Sequence, residues 1–308
     1  MITALAGGVG AARMLAGLAA VVDPASITAV VNTGDDVDLH GLRICPDLDT
    51  VTYTLAGAIS SERGWGLEDE SWRVMEALGR YGGPTWFSLG DLDLGTHLYR
   101  TGRLREGAPL STVTAEITES WGIQTRLLPM TDDEVETRVT TVDEGEIGFQ
   151  EYFVGRQHNV AITGVRFEGA ATAHPGPGVL GAIAEADGVL VCPSNPIVSI
   201  GPILAVPGLR EAVQARRDRV VAVSPIVAGA ALKGPADRML TELGHEATAV
   251  GIARLYAPFA STLVVDEADS ALAAAVEAEG IKCVVAPTIM ADPEKAAALG
   301  RVVIDVLA

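Results

Sequence analysis

Residues 2–36 decide the fold, and they read ITALAGGVGAARMLAGLAAVVDPASITAVVNTGDD. A short apolar run ends at Gly7, Gly8 and Gly10, a stretch rich in Ala and Leu follows, and a second apolar run begins at Ile27. This spacing predicts a buried strand, a glycine loop, a helix and a second buried strand. Such a unit is typical of the opening of a doubly wound parallel sheet with a right-handed crossover.

The later part of the chain continues in the same style, but the middle differs. Further buried strands are predicted at Asp187–Cys192, Arg219–Ser224, Thr262–Asp266 and Lys282–Ala286. Residues 65–122 are mostly helical in pattern, and from Val135 to Phe167 β-branched residues alternate with charged ones. We therefore predict a Rossmann-like doubly wound, mostly parallel α/β sheet in a single domain over residues 1–308. A helical and antiparallel insertion is expected at approximately residues 65–167.

The composition excludes several classes of function. The formal net charge is −18, and so acidic a surface repels phosphate backbones, so we expect no nucleic-acid partner. No stretch reaches the roughly 20 apolar residues of a membrane span, and no basic segment precedes the first apolar run as in a signal peptide. The three cysteines are far apart and match no zinc or disulfide pattern. Reduced thiols in a cytoplasmic protein are the expectation.

The glycine loop is a candidate phosphate site. A loop that leads from a parallel strand into a helix exposes amide N–H groups and the positive end of the helix dipole. The match to GxGxxG is partial because Arg13 stands at the third glycine, and a glycine turn needed only for close packing is the alternative. Asn32 ends the second strand, where an NAD site has an acidic residue, which argues against ordinary NAD binding.

The second strand is followed by a dense group of carboxylates: Asp35, Asp36, Asp38, Asp47 and Asp49. Like charges this close repel one another unless a cation or hydrogen bonds separate them. Carboxylate oxygens without Cys or paired His favour a hard cation such as Mg²⁺ or Ca²⁺. A solvated acidic loop with Asx turns is the alternative.

Other polar residues are more ambiguous. His97 and Arg100 share a helix face, where they could hold a phosphate or carboxylate or could form a salt bridge. His40 is either a ligand contact or a loop residue, and Lys233 is either an anion partner or an exposed lysine. Two segments rich in Gly and Pro leave later strands at the same predicted sheet edge as the glycine loop: residues 192–204 and 224–239.

Seven motifs occur in order between Ala4 and Asp237: ALAGGVGAAR, NTGDD, HGLRICPDLDTVTYTLAG, WFSLGDLDLGTHLYRT, LLPMTDD, NPIVSIGPIL and SPIVAGAALKGPAD. Together they resemble the 2-phospho-L-lactate transferase (CofD-like) family of coenzyme F-420 biosynthesis. The resemblance implies an Mg²⁺-dependent transferase with a GDP-linked three-carbon acid, lactyl or enolpyruvyl, as donor. The acceptor is the deazaflavin Fo (7,8-didemethyl-8-hydroxy-5-deazariboflavin), and GMP leaves. The chain is similar to the actinobacterial branch, whose donor derives from phosphoenolpyruvate.

Taken with this resemblance, the motifs give a site hypothesis. The catalytic residues are Asp35, Asp36, Asp47 and Asp49, with Mg²⁺ on Asp36 and Asp49. The nucleotide and phosphate contacts are Gly7, Gly8, Gly10, Arg13, Asn32, Ser194, Asn195 and Lys233. The contacts to Fo or to the acid group are His40, Asp91, His97 and Arg100. A homodimer is expected, and a non-catalytic nucleotide-binding regulator and an NAD(P)-dependent oxidoreductase stay open as alternatives.

Overall fold

The computed structural model describes residues 1–308. The strands are β1 (Ile2–Ala6), β2 (Ile27–Val31), β3 (Val37–Leu39), β4 (Leu42–Ile44), β5 (Arg126–Pro129), β6 (Glu136–Thr141), β7 (Glu146–Gly148), β8 (Ile162–Glu168), β9 (Gly188–Val191), β10 (Val220–Val223), β11 (Ile226–Val227), β12 (Ala230–Ala231), β13 (Thr262–Val265) and β14 (Lys282–Val285). The α-helices are α1 (Gly8–Ala19), α2 (Pro46–Leu55), α3 (Arg73–Arg80), α4 (Asp91–Arg105), α5 (Leu110–Ser120), α6 (Val179–Glu185), α7 (Gly201–Ala205), α8 (Leu209–Gln214), α9 (Ala236–Glu242), α10 (Ala249–Tyr256), α11 (Ala273–Ala278) and α12 (Pro293–Leu307). None of these helices combines the length and the apolar character needed to cross a membrane.

Seven parallel strands form the central sheet, in the order β14-β13-β10-β9-β1-β2-β5. The chain runs outward from β1 through β2 to β5, returns to β9, and runs outward on the other side to β14. The direction of winding therefore changes between β1 and β9. Open α/β sheets bind their ligands at such a switch point, beyond the carboxyl ends of the strands. The predicted Rossmann-like doubly wound sheet is confirmed.

The middle of the chain contributes to two sheets. Strand β5 pairs in parallel with β2 and so belongs to the central sheet, although it lies inside the predicted insertion of residues 65–167. Helices α3 to α5 precede it, and β6, β7 and β8 form a three-stranded antiparallel sheet after it. The alternating pattern from Val135 to Phe167 thus forms the antiparallel structure it predicted. The single-domain assignment stays a prediction.

The core lies on both faces of the central sheet. In β1, Leu5 packs with α6, α7, α8, α10 and α11 on one face, whereas Ala4 and Ala6 pack with α1, α2, α5 and α12 on the other. All three side chains are fully buried. Burial of a side chain as large as Leu contributes about 1.5–3 kcal/mol, so the two helical layers fix the position of the strand ends.

Small residues let α1 and α12 approach closely. A Cβ at Gly17 would overlap the carbonyl oxygen of Ala296, and one at Gly300 would lie 2.8 Å from the carbonyl oxygen of Gly17. We expect Gly17→Ala to lower the free energy of unfolding by about 1–3 kcal/mol, because the two backbones must separate. Gly181→Ala on α6 is the matched control, since nothing lies within 4 Å of its Cβ. Urea unfolding should show an unchanged or slightly raised stability there, and equal losses in both variants would contradict the packing argument.

Candidate active site

A cavity of about 860 Å³ opens beyond the carboxyl ends of β1 and β9. The segments after β1, β9 and β10 all line it, so the loops predicted to share one sheet edge do share it. The predicted site residues on its wall are Gly7, Gly8, Gly10, Arg13, Asp35, Asp47, Asp49, His97, Ser194, Asn195 and Lys233. Those that do not line it are Asn32, Asp36, His40, Asp91 and Arg100.

The glycine loop packs closely against neighbouring residues and also lines the cavity. A Cβ at Gly10 would overlap the carbonyl oxygen of Pro193, and one at Gly7 would lie 2.6 Å from Oδ2 of Asp47. Gly8 has a φ of +73°, which favours glycine. Close packing therefore requires these glycines. Helix α1 begins at Gly8, and its first N–H groups have no partner within the helix, so this end of α1 is also suited to an anion.

A second helical segment begins beside the first. Pro196–Ile200 forms a π-helical turn that continues into α7, and Oδ1 of Asn195 accepts hydrogen bonds from the N–H groups of Ile197 and Val198. Oγ of Ser194 accepts a hydrogen bond of 3.3 Å from the Gly7 N–H and links the two loops. Two helical starts thus meet at the switch point.

Asp35 and Asp47, here called the acid pair, both line the cavity, and Asp47 lies against the glycine loop. The amide of Asn32 donates to both carboxylates, at 3.1 and 2.9 Å, and Nε2 of Gln150 donates to Asp35 at 3.1 Å. Burial and the neighbouring carboxylates hold the pKa of Asp35 well above its usual range. Burial raises the pKa of Asp47 to about 6, against hydrogen bonds from Asn32 and the Gly8 backbone. A cation bound at this pair would stabilise the ionised carboxylates and so lower both pKa values.

Asp36 and Asp49 each lie against an arginine. Asp36 is buried, lies 3.6 Å from the Arg43 guanidinium, and does not line the cavity. Burial raises its pKa to about 7, although Arg43 opposes that rise. Asp49 accepts a bidentate hydrogen bond from the guanidinium of the buried Arg100. Asp36 and Asp49 are therefore each paired with an arginine, and only Asp49 lines the cavity.

A second acidic group, here called the acid–imidazole cluster, consists of Asp49, Asp93 and His97. Its potential ligand atoms all lie within 4.8 Å of one another, and all three residues are buried. The His97 ring nitrogens lie 3.6 Å from Asp49 and 3.3 Å from Asp93, and Tyr53 donates a 2.7 Å hydrogen bond to Asp93. Burial opposes the ionisation of Asp93, but His97 and Tyr53 outweigh it and lower the pKa. The cluster offers carboxylate and imidazole acceptors at the cavity wall.

Asp91 and His40 are two of the five predicted site residues that do not line the cavity. Asp91 is exposed and accepts hydrogen bonds from the backbone and hydroxyl of Ser71, so it ties a loop to the start of α4. His40 stands in the β3–β4 turn with a φ of +55°. The sequence predicts Asp91 as a site residue, but it is Asp93 that lines the cavity. Asp93 lies two positions further along α4 and therefore on the opposite side of that helix.

Two cations lie at the cavity in this acidic protein. Nη1 of Arg13 donates to the carbonyl oxygen of Met290 at 3.1 Å, and Nζ of Lys233 lies 3.5 Å from the carbonyl oxygen of Arg63. Partial burial lowers the pKa of Lys233, and the charge of Arg13 lowers it further. Because both side chains line the cavity, they are available to an anionic ligand there.

An aromatic wall faces the same cavity. Phe149 and Phe153 stack with ring centroids 5.6 Å apart and an angle of 4° between their planes, and His158 stacks on Phe153. They belong to the segment after β7, which the sequence had not linked to the site. A flat ring would find an apolar surface there.

The fold and the site define a doubly wound α/β protein whose helical starts and carboxylates suit a phosphorylated ligand, as in enzymes of phosphoryl transfer. The model of the family described as 2-phospho-L-lactate transferase CofD matches residues 2–305. The chain belongs to this family, and it is an enzyme of the transferase class. Its membership favours a transferase over an oxidoreductase or a regulator.

Relatives are similar over nearly their whole length. A phosphoenolpyruvate transferase of Kitasatospora aureofaciens is 51% identical, covering 97% of this chain and 95% of the relative. One of Streptomyces griseus is 48% identical, covering 97% and 96%. A crystal structure of a UPF0052 family protein from Bacillus halodurans has a TM-score of 0.63 at 16% identity and covers 98% of both chains, so the two share a fold.

Proposed function

We propose that this chain transfers a phosphoenolpyruvyl or phospholactyl group from a GDP-linked donor to Fo, releases GMP and yields the dehydro or saturated form of coenzyme F-420-0. The observation that carries the proposal is the acid pair beside the glycine loop at the switch point. The names of the actinobacterial relatives favour the enolpyruvyl donor. The predicted homodimer and cytoplasmic location stay predictions.

The donor's diphosphate is proposed to lie on the first turn of α1. Backbone N–H groups bind phosphate there without any positive side chain, which matters in a protein of net charge −18. Arg13 and Lys233 line the same cavity and supply the positive side chains that a diphosphate also requires.

The acid pair fits Mg²⁺ in its chemistry. Mg²⁺ takes oxygen ligands, usually one or two carboxylates together with substrate phosphates. Asp47 offers a carboxylate next to the proposed phosphate position, and Asp35 lines the same cavity and shares the Asn32 amide with it. Both carboxylates are buried and neither is paired with an arginine or lysine, whereas Asp36 and Asp49 each have an arginine partner. We therefore assign the metal to Asp35 and Asp47 in place of Asp36 and Asp49. When bound, Mg²⁺ would neutralise charge on the transferred phosphoryl group.

The acceptor is proposed to stack its ring on Phe149 and Phe153 and to direct its ribityl hydroxyl toward the donor. The hydroxyl oxygen forms a bond to the phosphorus that bears the three-carbon acid, the bond from that phosphorus to the bridging oxygen breaks, and GMP leaves. The acid–imidazole cluster accepts the hydroxyl proton. The acid pair and all three residues of this cluster line the same cavity.

The reaction is tested by mixing the protein with Fo, each GDP-linked donor and Mg²⁺, and by following GMP and the product mass. We expect GMP to appear only when Fo and Mg²⁺ are both present. The enolpyruvyl product is lighter than the lactyl product by two hydrogens, so mass spectrometry identifies the preferred donor. Nucleotide binding without GMP release would favour the regulator instead.

The metal requirement should depend on pH. The pKa of Asp47 is raised to about 6, so below that pH the carboxyl is protonated and cannot bind Mg²⁺. We expect the Mg²⁺ concentration for half-maximal GMP release to rise by about tenfold or more between pH 7.5 and pH 5. A constant Mg²⁺ requirement across this range would contradict the assignment of Asp47.

A further inference from the structure

Asn32 is buried at the end of β2, with 0% of its surface exposed, and uses both of its side-chain N–H donors inside the protein. Its Oδ1 accepts a 2.8 Å hydrogen bond from the Gly34 N–H. Its Nδ2 donates to Oδ1 of Asp35 at 3.1 Å and to Oδ2 of Asp47 at 2.9 Å, and approaches the Val198 carbonyl oxygen at 3.4 Å. An amide has only two N–H donors, so none is left for a ligand.

This geometry does not support the nucleotide contact expected for Asn32 from the sequence. The side chain does not line the cavity, whereas the two aspartates to which it donates do. Its backbone is also fixed, because its N–H donates to the Ala6 carbonyl oxygen at the end of β1. Asn32 is therefore anchored to the sheet and acts on the site only through Asp35 and Asp47.

We propose that Asn32 is a positioning residue that holds the two carboxylates side by side, facing the glycine loop, in the arrangement that receives a divalent cation. The proposal rests on the proposed function, which assigns Asp35 and Asp47 to the metal. One carboxylate would come from the loop after β2 and the other from α2, and the Asn32 amide is the group that donates to both.

The identity of the side chain follows from its partners. Aspartate at this position has the same shape but would place a third negative charge between two others, and it has no N–H to donate. Serine would keep one donor and so could orient only one of the carboxylates. Gln150 holds the far oxygen of Asp35 but does not donate to Asp47, so it cannot replace Asn32 as the link.

The test measures Mn²⁺ binding in the presence of GDP, by the electron paramagnetic resonance signal of free Mn²⁺. We expect the Kd for Mn²⁺ to rise about tenfold or more in Asn32→Asp and Asn32→Ser, because each loses a donor to the pair. Binding of GDP in EDTA should change less than twofold. Asn159→Asp is the matched control, since it adds the same charge at an exposed position, and its Kd for Mn²⁺ should equal that of the wild type.

Two results would overturn the proposal. One is an unchanged Kd for Mn²⁺ in a folded Asn32→Ser protein, which remains informative if Asn32→Asp does not fold. The other is weaker GDP binding in EDTA with Mn²⁺ binding intact, which would support the direct nucleotide contact that the sequence predicts for Asn32. Rescue of GMP release by excess Mg²⁺ in Asn32→Ser would support positioning. A wild type that binds no Mn²⁺, or Asp47→Asn that binds it normally, would instead refute the metal assignment in the proposed function.

Discussion

Asp47→Asn is expected to lower kcat/KM for GMP release by about 10³-fold, because it removes one of two proposed carboxylate ligands next to the donor's diphosphate. Asparagine has one acceptor oxygen where the carboxylate has two, but it keeps the size of the side chain. Little of the loss should therefore come from packing. The measurement is GMP release at saturating Fo and donor, repeated at increasing Mg²⁺ so that weaker metal binding is separated from slower transfer.

Asp38→Asn controls for the loss of charge in the same acidic region. The Asp38 side chain is 67% exposed and lies 3.6 Å from Arg43, away from the cavity. We expect it to retain activity within about twofold, as surface substitutions usually do. If Asp36→Asn lost far more activity than Asp47→Asn, the metal assignment would return to Asp36.

Arg100→Met is expected to lower the free energy of unfolding by about 3–5 kcal/mol. Arg100 is 2% exposed, and its guanidinium donates hydrogen bonds to both carboxylate oxygens of Asp49, which is also buried. Methionine fills part of the volume but leaves the Asp49 carboxylate without its partner. Urea unfolding at neutral pH measures the loss.

Arg103→Met on the same helix is the matched control. Its guanidinium pairs with Glu106 and Glu116 at the surface, where ion pairs contribute about 0–1 kcal/mol. A loss in Arg100→Met no larger than in Arg103→Met would contradict a structural role for the buried pair. The interpretation of Arg100 as a substrate contact would then regain support.

The fold was largely predictable from the sequence because the strands of a parallel sheet are short apolar runs. ITALA and ITAVV are buried on both faces and are separated by a glycine loop and a helix, so their pattern has few other interpretations. Strand β5 was missed because RLLP is only four residues long and begins with an exposed arginine. Its place at the edge of the sheet depends on pairing with β2, which no local pattern reports.

The site was predictable as a region but not residue by residue. Adjacent aspartates look equivalent in a sequence, yet Asp35 faces the cavity and Asp36 turns to Arg43. Likewise Asp91 faces solvent and Asp93 faces His97. Gln150 reaches the site from the helical segment after β7, 115 residues along the chain from Asp35. Such choices are made by the packing of distant segments, so spacing alone cannot assign them.

The most direct test of the central claim is a crystal structure with GDP and Mn²⁺, in which anomalous scattering locates the metal. We predict Mn²⁺ bound by the carboxylates of Asp35 and Asp47, at about 2.1–2.2 Å, with the diphosphate at the first turn of α1. Mn²⁺ held by Asp49, Asp93 and His97 with the acid pair free of metal, or a nucleotide bound away from the β1–β9 crevice, would contradict the account.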